Sequence, residues 1–207
     1  MQPLRTFLLF LASLSLLLSS SLVANERPKP MTFVKGKTDA VLKLLNQRVK
    51  DKSSQNKRNA DLRTLIASFV DYDDLAQRSL GKHWGGLSEE NQTLYRSLFR
   101  ELVELSYVDR LGRRNPDVKY EIDWEGQSTK GDTGRVTCFI LYQDTETELD
   151  FFLKAQQDTW ILHDLHLDGA SIEDTYRRKY GDIIEKDGFD ELIRKMREQI
   201  AELKAKE

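Results

Sequence analysis

The chain has 207 residues, and its 32 Lys and Arg against 34 Asp and Glu give a formal net charge of −2 at pH 7. This balance is unlike the basic surplus of nucleic-acid-binding proteins, so we expect no nucleic-acid partner. The single cysteine, Cys138, excludes an internal disulfide, and a chain of this length without repeats or low-complexity linkers fits one domain with its own core.

The chain begins like an exported protein. Arg5 precedes an apolar and small-residue run over Phe7–Leu18, and a serine-rich patch then leads to Ala24, a small residue suited to a cleavage site. The run is shorter than the roughly 18 apolar residues that span a membrane, and no cysteine near Ala24 offers a point for lipid attachment. We therefore predict a cleaved signal peptide over residues 1–24, a single mature domain over residues 25–207, and a periplasmic location.

The first half of the mature chain predicts helices, because apolar residues recur at helical spacing. The predicted helices are Pro30–Val49, Ala60–Val70, a short one that Asp71–Asp73 caps and that ends at Leu80, and Glu89–Leu111. Ser88 supplies an N-cap for the last and longest of these, which has acids in its first turn and arginines near its end. The polar, basic patch Lys50–Arg58 is predicted to be a connection.

The second half predicts strands that are rich in β-branched and aromatic residues and joined by short turns. An edge strand over Val118–Glu125 and a polar hairpin loop over Gly126–Gly134 precede three core strands, Arg135–Gln143, Glu146–Ala155 and Thr159–Leu167. Adjacent strands with short turns favour an antiparallel meander. Two helices follow, Ile172–Tyr180 after an N-cap at Ser171, and Gly188–Lys206.

The predicted sheet is unusually apolar. Alternation places Leu149, Phe151 and Leu153 on one face of the second core strand. The first core strand is apolar on both faces, one carrying Val136, Cys138, Ile140 and Tyr142 and the other Phe139 and Leu141. Such a sheet must be covered by helices or must enclose something. We therefore predict an α+β fold with N-terminal helices, a four-stranded antiparallel sheet and two C-terminal helices.

The sequence offers little for catalysis or metal binding. His163 and His166 are three positions apart on a strand and point to opposite faces, which argues against a shared metal ion unless a bulge intervenes. Cys138 lies mid-strand among apolar neighbours, as a buried structural thiol does. Asp164 fits a structural carboxylate near a strand end. Because no nucleophile elbow, phosphate loop or dinucleotide fingerprint is present, we predict no enzyme, no catalytic residue, no cofactor and no metal.

An ordered set of short motifs resembles a known family. In the helical half the motifs are Leu62-Arg63-Thr64, Leu80-Gly81-x-x-Trp84, and Leu87-Ser88-Glu89-Glu90 opening a helix with Tyr95 and Phe99. In the second half they are Leu149-Asp150-Phe151, Trp160 with Asp164, Gly169-Ala170-Ser171-Ile172 with Tyr176-Arg177, and Gly188-x-x-x-Leu192-Ile193. Together they resemble the MlaC family over Met31–Leu203. Two departures are Val70–Asp73, where many relatives have a proline, and Ala170, where valine is commoner.

Members of this family are periplasmic phospholipid-binding proteins, also called toluene-tolerance auxiliary proteins. The resemblance implies a monomeric lipid carrier that binds phospholipid acyl chains in a deep apolar pocket between a curved sheet and its helices. It also implies transport between an outer-membrane lipoprotein complex and an inner-membrane ABC lipid transport complex, which maintains outer-membrane lipid asymmetry.

The apolar side chains of the sheet and the long helix are the candidates for the pocket lining. They are Phe99, Leu102, Tyr107, Phe139, Leu141, Leu149, Phe151 and Leu153. Each of them suits a filled core equally well. Three alternatives stay open: a carrier of another lipid such as a hopanoid, a non-catalytic interaction module with a filled core, and an enzyme. An enzyme would bring Asp150 or Asp164 into the cavity with a perturbed pKa.

Overall fold

The computed structural model describes residues 27–112 and 120–205, so the predicted signal peptide over residues 1–24 lies outside the described residues. The helices are α1 (Pro30–Leu45), α2 (Lys52–Ala67), α3 (Tyr72–Leu80), α4 (Glu89–Val103), α5 (Asp109–Gly112), α6 (Ile172–Asp187) and α7 (Phe189–Ala205). The strands are β1 (Tyr120–Lys130), β2 (Thr133–Tyr142), β3 (Thr145–Gln156), β4 (Thr159–Leu167) and the two-residue β5 (Ala170–Ser171). This order of helices, sheet and helices confirms the predicted α+β fold.

Side-chain caps fix where several helices begin. At the start of α2 the Asp51 carboxylate accepts from the backbone N–H of Ser54, and the Ser54 hydroxyl accepts from the backbone N–H of Asp51. Because this capping box starts a helix, the predicted connection over Lys50–Arg58 is wrong and most of it is helical. Ser88 and Ser171 cap α4 and α6, as predicted.

Three helices end elsewhere than predicted. Helix α2 stops at Ala67 rather than Val70, because Val70 forms a parallel β-bridge with Leu162 of β4. Helix α1 stops at Leu45 rather than Val49, because the buried Arg58 guanidinium binds the carbonyl oxygens of Leu45 and Gln47 and holds the chain in a turn there. Helix α6 continues past Tyr180 to Asp187, where Gly188 ends it with a positive φ of 86°.

The helix predicted over Glu89–Leu111 is interrupted. It is α-helical to Val103, passes through a π-helical turn over Glu104–Val108, and ends in the short α5. Directly after this turn the buried Asp109 carboxylate accepts a two-pronged ion pair from Arg63 of α2.

The sheet is an open antiparallel meander in the order β1-β2-β3-β4-β5, which contains the four predicted strands and the short β5. The predicted loop over Gly126–Gly134 is wrong, because β1 continues to Lys130 and pairs with β2 from Thr133 onward. A tight turn at Gly131, with φ of 57°, joins them. Polar residues form strands here because this end of the hairpin is largely exposed on both faces.

The core has three parts, the smallest of which lies around Leu45, Leu62 and Val108. Helices α3, α4, α6 and α7 pack together around Tyr95, Phe99, Leu102, Tyr180, Leu192 and Met196. Helix α1 packs on the sheet instead, with Val34 beside Val136, Leu153, Trp160 and Leu162. A Cβ atom on Gly134 would lie 2.9 Å from Pro30 Cγ, so this glycine allows α1 to approach the sheet closely. In the described ranges, none of the helices combines the length and apolar character needed to cross a bilayer.

Candidate functional site

The face of the sheet that the helices cover, here called the inner face, is apolar across four strands. Cross-strand neighbours share a face, so the pairing register identifies its members. The apolar rows are Val136–Phe151–Leu165, Cys138–Leu149–Leu167 and Ile122–Ile140. The rows match the alternation that the sequence predicts for β2 and β3.

A cavity of about 230 Å³ lies between the inner face and the helices. Helix α1 forms one wall with Phe33, Val34, Lys37, Thr38, Val41, Leu42 and Leu45. The other helices and their connections contribute Ile66, Phe69, Val70, Tyr72, Leu75, Val103, Tyr107, Val108, Leu111 and Ile172. The sheet contributes Tyr120, Ile122, Ile140, Leu149, Phe151, Leu153, Leu162, His163, Asp164 and Leu165. Because this lining is overwhelmingly hydrocarbon, the cavity suits an aliphatic or aromatic ligand.

Four of the eight candidate lining residues face this cavity. Leu149, Phe151 and Leu153 reach it from β3, since alternate residues of a strand share a face. Tyr107 reaches it from the π-helical turn.

The other four candidates lie elsewhere. Phe99 and Leu102 are completely buried in the helical part of the core, where the Phe99 ring stacks on Tyr95 at 5.7 Å between ring centroids. Phe139 and Leu141 alternate with Ile140, which lines the cavity, so both occupy the opposite face of the sheet.

Sequence reasoning misses α1, the single helix or strand that contributes most to the lining. Its residues Val34, Thr38, Val41 and Leu45 follow the three- and four-residue spacing of one helix face. That spacing is a visible signal of an amphipathic helix. It does not specify that the apolar face borders a cavity rather than a filled core.

Lys37 is the one lysine among the described residues of the lining. Its ammonium nitrogen lies 5.6 Å from the centroid of the Phe33 ring and 5.4 Å from that of Phe69. These cation–π contacts hold the charged end of the side chain against the apolar wall.

His163 is the second basic residue of the lining. It is an extra residue in β4, because Phe152 pairs with Asp164 while the next residue of β3 pairs with Leu162. Its Nδ1 atom lies 3.1 Å from the Asp74 carboxylate. Burial, reinforced by the Arg78 guanidinium, lowers the pKa of His163 although Asp74 opposes the shift.

The extra residue at His163 forms a β-bulge, so the argument that His163 and His166 point to opposite faces of a regular strand no longer excludes a shared metal ion. The two imidazoles nevertheless have different partners. His163 contacts Asp74, whereas the His166 ring packs at a tilt against Phe152, with 4.3 Å between ring centroids, and its Nε2 atom lies 3.2 Å from Asp164. Across residues 27–112 and 120–205, no group of three or more His, Cys, Asp or Glu side chains is placed to hold a metal ion.

The Asp164 carboxylate is occupied by structural partners. It accepts hydrogen bonds from the Ser171 hydroxyl at 2.6 Å and from the Glu173 backbone N–H at 3.2 Å, which fixes the start of α6 on β4. These bonds are the strand-end role that the sequence suggests for Asp164.

Asp150 lies on the opposite face of β3 from the cavity residues. Burial raises its pKa, but hydrogen bonds from Arg135 and Thr137 outweigh burial and hold the pKa below its usual value. Cys138 is buried, and burial raises the pKa of its thiol to about 11, so it is protonated at neutral pH.

Comparison with known proteins places the chain in a family. The family model described as MlaC protein matches residues 35–198, which is most of the chain. The chain belongs to the MlaC family. This membership indicates a binding or transport protein.

A solved structure is similar to this MlaC-family chain over most of its length. It is a phospholipid-binding protein from Ralstonia solanacearum, determined in complex with a phospholipid at 1.53 Å resolution. The two share 20% sequence identity with a TM-score of 0.71, over 85% of this chain and 99% of the other. No curated protein gives a significant match. At this identity the likeness establishes a shared fold for the MlaC-family chain.

Proposed function

We propose that this MlaC-family protein is a periplasmic carrier of phospholipid, which holds the acyl chains in the cavity and leaves the head group near solvent. The single observation that carries the proposal is the apolar cavity between α1 and the inner face of the sheet. The phospholipid bound by the similar Ralstonia protein adds support. The carrier would run between an outer-membrane lipoprotein complex and an inner-membrane ABC transport complex.

The energetics of a lipid explain why such a carrier is needed. Each methylene group removed from water contributes about 0.8 kcal/mol, so a two-chain lipid almost never crosses an aqueous space unaided. A hydrocarbon lining provides this stabilisation without any chemical step. Among the cavity residues of the described chain, the charged groups other than Lys37 have structural partners, as expected of a binding site.

The cavity must enlarge to take a whole lipid. Its volume is about 230 Å³, whereas a cavity of about 150 Å³ holds only one benzene molecule and drug-sized pockets begin at about 300 Å³. Helix α1 is the natural moving wall, because it packs on the sheet and on α2 whereas α3, α4, α6 and α7 pack on one another. Loading and release would therefore shift a population between closed and open positions of α1.

We propose that the acyl chains contact the residues that the sequence predicts as lining and that also line the cavity in the structure. Tyr107, Leu149, Phe151 and Leu153 are the candidates that reach the cavity. Phe99 and Leu102 would support the helices from behind. Phe139 and Leu141, on the far side of the sheet, would contact a lipid only outside this cavity.

Organic extraction of the purified native protein, followed by mass spectrometry of the extract, tests the proposal. We expect phospholipid in near-stoichiometric amount. A hopanoid or another lipid in its place would favour the alternative carrier. An empty extract, together with no uptake from phospholipid vesicles, would favour an interaction module with a closed core. N-terminal sequencing of the exported protein tests the predicted cleavage after Ala24.

A further inference from the structure

The net charge of −2 conceals a strong asymmetry along the chain. Residues 27–63 carry 11 Lys and Arg against 3 Asp, whereas residues 64–207 carry 20 Lys and Arg against 30 Asp and Glu. The first segment therefore has a net charge of +8 and the second a net charge of −10. The segment consists of α1, the following turn and most of α2, which places the positive charge beside one wall of the cavity.

Four cations of this segment form hydrogen bonds or ion pairs within the protein. Arg58 is buried and binds backbone carbonyl oxygens, and Arg63 pairs with Asp109. Arg27 pairs with Asp132, and Lys57 pairs with Asp61 one helical turn away. These four residues position helices or pair with local acids, so they are set apart from the unpaired cations of the segment.

Six other cations are exposed, and none pairs with a carboxylate within the described part of the chain. We call them the basic face: Lys29, Lys35, Lys43, Arg48, Lys50 and Lys52. They run from the start of α1 to the start of α2, along a helix of 16 residues that is about 24 Å long. Nothing apolar interrupts them on α1, where the exposed positions are Thr32, Lys35, Gly36, Asp39 and Lys43.

We infer that the basic face docks the protein on a bilayer surface that contains anionic phospholipid head groups. Phosphate-rich surfaces attract clusters of lysine and arginine, and each added cation strengthens the association severalfold. Because α1 is also a cavity wall, this docking would bring that wall against the lipid surface.

The composition of the basic face favours a membrane over an acidic protein. Five of its six members are lysines, which act as mobile point charges, whereas fixed pairing with carboxylates favours the rigid fork of arginine. Lys35 and Lys43 lie on the outside of α1 and the other members flank this helix. The exposed positions of α1 offer no apolar anchor of the kind that protein interfaces need. A diffuse array of this kind suits a fluid anionic surface, and its binding should weaken as salt is added.

Co-sedimentation with vesicles tests this inference. The wild-type protein should bind vesicles of phosphatidylcholine mixed with phosphatidylglycerol at low ionic strength, and should not bind vesicles of phosphatidylcholine alone. The triple variant Lys35→Gln, Lys43→Gln and Lys50→Gln should lower the partition coefficient about a hundredfold. Exposed substitutions of this kind change folding stability little, which urea unfolding would verify.

A matched variant separates local from global charge. Lys179→Gln, Lys186→Gln and Lys204→Gln remove the same number of exposed lysines from α6 and α7, which pack on α3, α4 and one another rather than on α1. This variant should lose less than about fivefold in partition, because its lysines lie away from the basic face.

Three outcomes would overturn the inference: equal weakening by the two variants, equal binding to neutral and anionic vesicles, or no vesicle binding at low salt. The last result, with retained binding to an acidic protein, would assign the basic face to a protein partner. This test does not depend on the cavity ligand. If the protein binds anionic vesicles but yields no extractable lipid, the proposed function is contradicted while the inference about the basic face is supported.

Discussion

Replacing Phe151 with aspartate would place a carboxylate inside the cavity. Phe151 lies on the inner face between Val136 and Leu165 and lines the cavity. An acyl chain that fills the cavity would strip water from the new carboxylate. Among the described residues the lining offers only Lys37 and His163 as basic groups, and His163 is already engaged by Asp74.

The size of the effect follows from this desolvation. Burying an unpaired carboxylate costs several kcal/mol, and about 4 kcal/mol corresponds to roughly a thousandfold loss of lipid affinity. Protonation of the carboxyl would set an upper limit to the cost at low pH. In the empty protein, water in the cavity can hydrate the aspartate, so we expect a smaller loss in the free energy of unfolding, about 1–3 kcal/mol.

The neighbouring residue supplies the matched control. Phe152 is on the other face of β3, with the Arg135 guanidinium 5.4 Å from its ring centroid and the His166 ring packed at a tilt against it. Phe152→Asp therefore makes the same chemical change one position along the same strand, but outside the cavity. It should keep its lipid.

Fluorescent-lipid titration and extraction of both variants would measure the difference, with circular dichroism and urea unfolding to confirm folding. If Phe151→Asp binds lipid as well as Phe152→Asp does, the lipid does not occupy this cavity. If both variants stay folded and both lose lipid, the discrimination between the two faces of β3 is wrong.

Three further predictions concern the walls of the cavity. Arg58→Met should lower the free energy of unfolding by about 2 kcal/mol in urea titrations, because it leaves buried carbonyl oxygens unpaired. Lys57→Met on the exposed side of α2 should change it by less than about 0.5 kcal/mol, and equal losses in the two variants would refute the structural role of Arg58. Pro30→Cys with Gly134→Cys, in a chain lacking the native cysteine, should form a disulfide, since a Cβ atom on Gly134 would lie 3.3 Å from Pro30 Cβ and disulfides have a Cβ–Cβ distance of about 3.8 Å. The oxidised protein should transfer lipid to acceptor vesicles about tenfold more slowly and recover on reduction, and unchanged transfer would show that α1 need not move. Because the folded state lowers the pKa of His163, the folded protein binds fewer protons than the unfolded protein once the pH falls to about 6.5. The free energy of unfolding should therefore decrease as the pH is lowered from about 7 to about 5, and His163→Gln should reduce this decrease when urea midpoints are compared.

The sequence contains enough to predict the sheet and most helix starts. Strand alternation is a local property, so the two sets of residues in β2 and β3 are separated correctly. Caps are local as well, which is why Ser88 and Ser171 are identified. The capping box at Asp51 is missed because its partner is serine instead of the usual glutamate, and the basic composition around it resembles a connection.

The lining is harder to predict because it depends on packing between distant elements. An apolar stripe on a helix specifies a buried face but not its partner, so Phe99 and Leu102 look like lining until α6 and α7 are seen to cover them. Both faces of β2 are apolar, and alternation alone does not tell which of them the helices cover. The basic face is missed for another reason: a net charge averages over the chain, whereas a surface depends on where the charges lie.

The π-helical turn over Glu104–Val108 constrains how insertions and deletions are tolerated in this part of the chain. A π-helical turn closes with i→i+5 instead of i→i+4 hydrogen bonds, so it accommodates about one extra residue within the helix. Deleting one of its residues would let α4 continue as a regular helix while Asp109 still faces Arg63 and Leu111 still faces the cavity. Deleting a residue from the regular part of α4 would instead rotate every later residue by about 100° around the axis and shift it by about 1.5 Å. Alignments of MlaC-family sequences that share this wall should therefore place a single-residue gap within Glu104–Val108 rather than within α4.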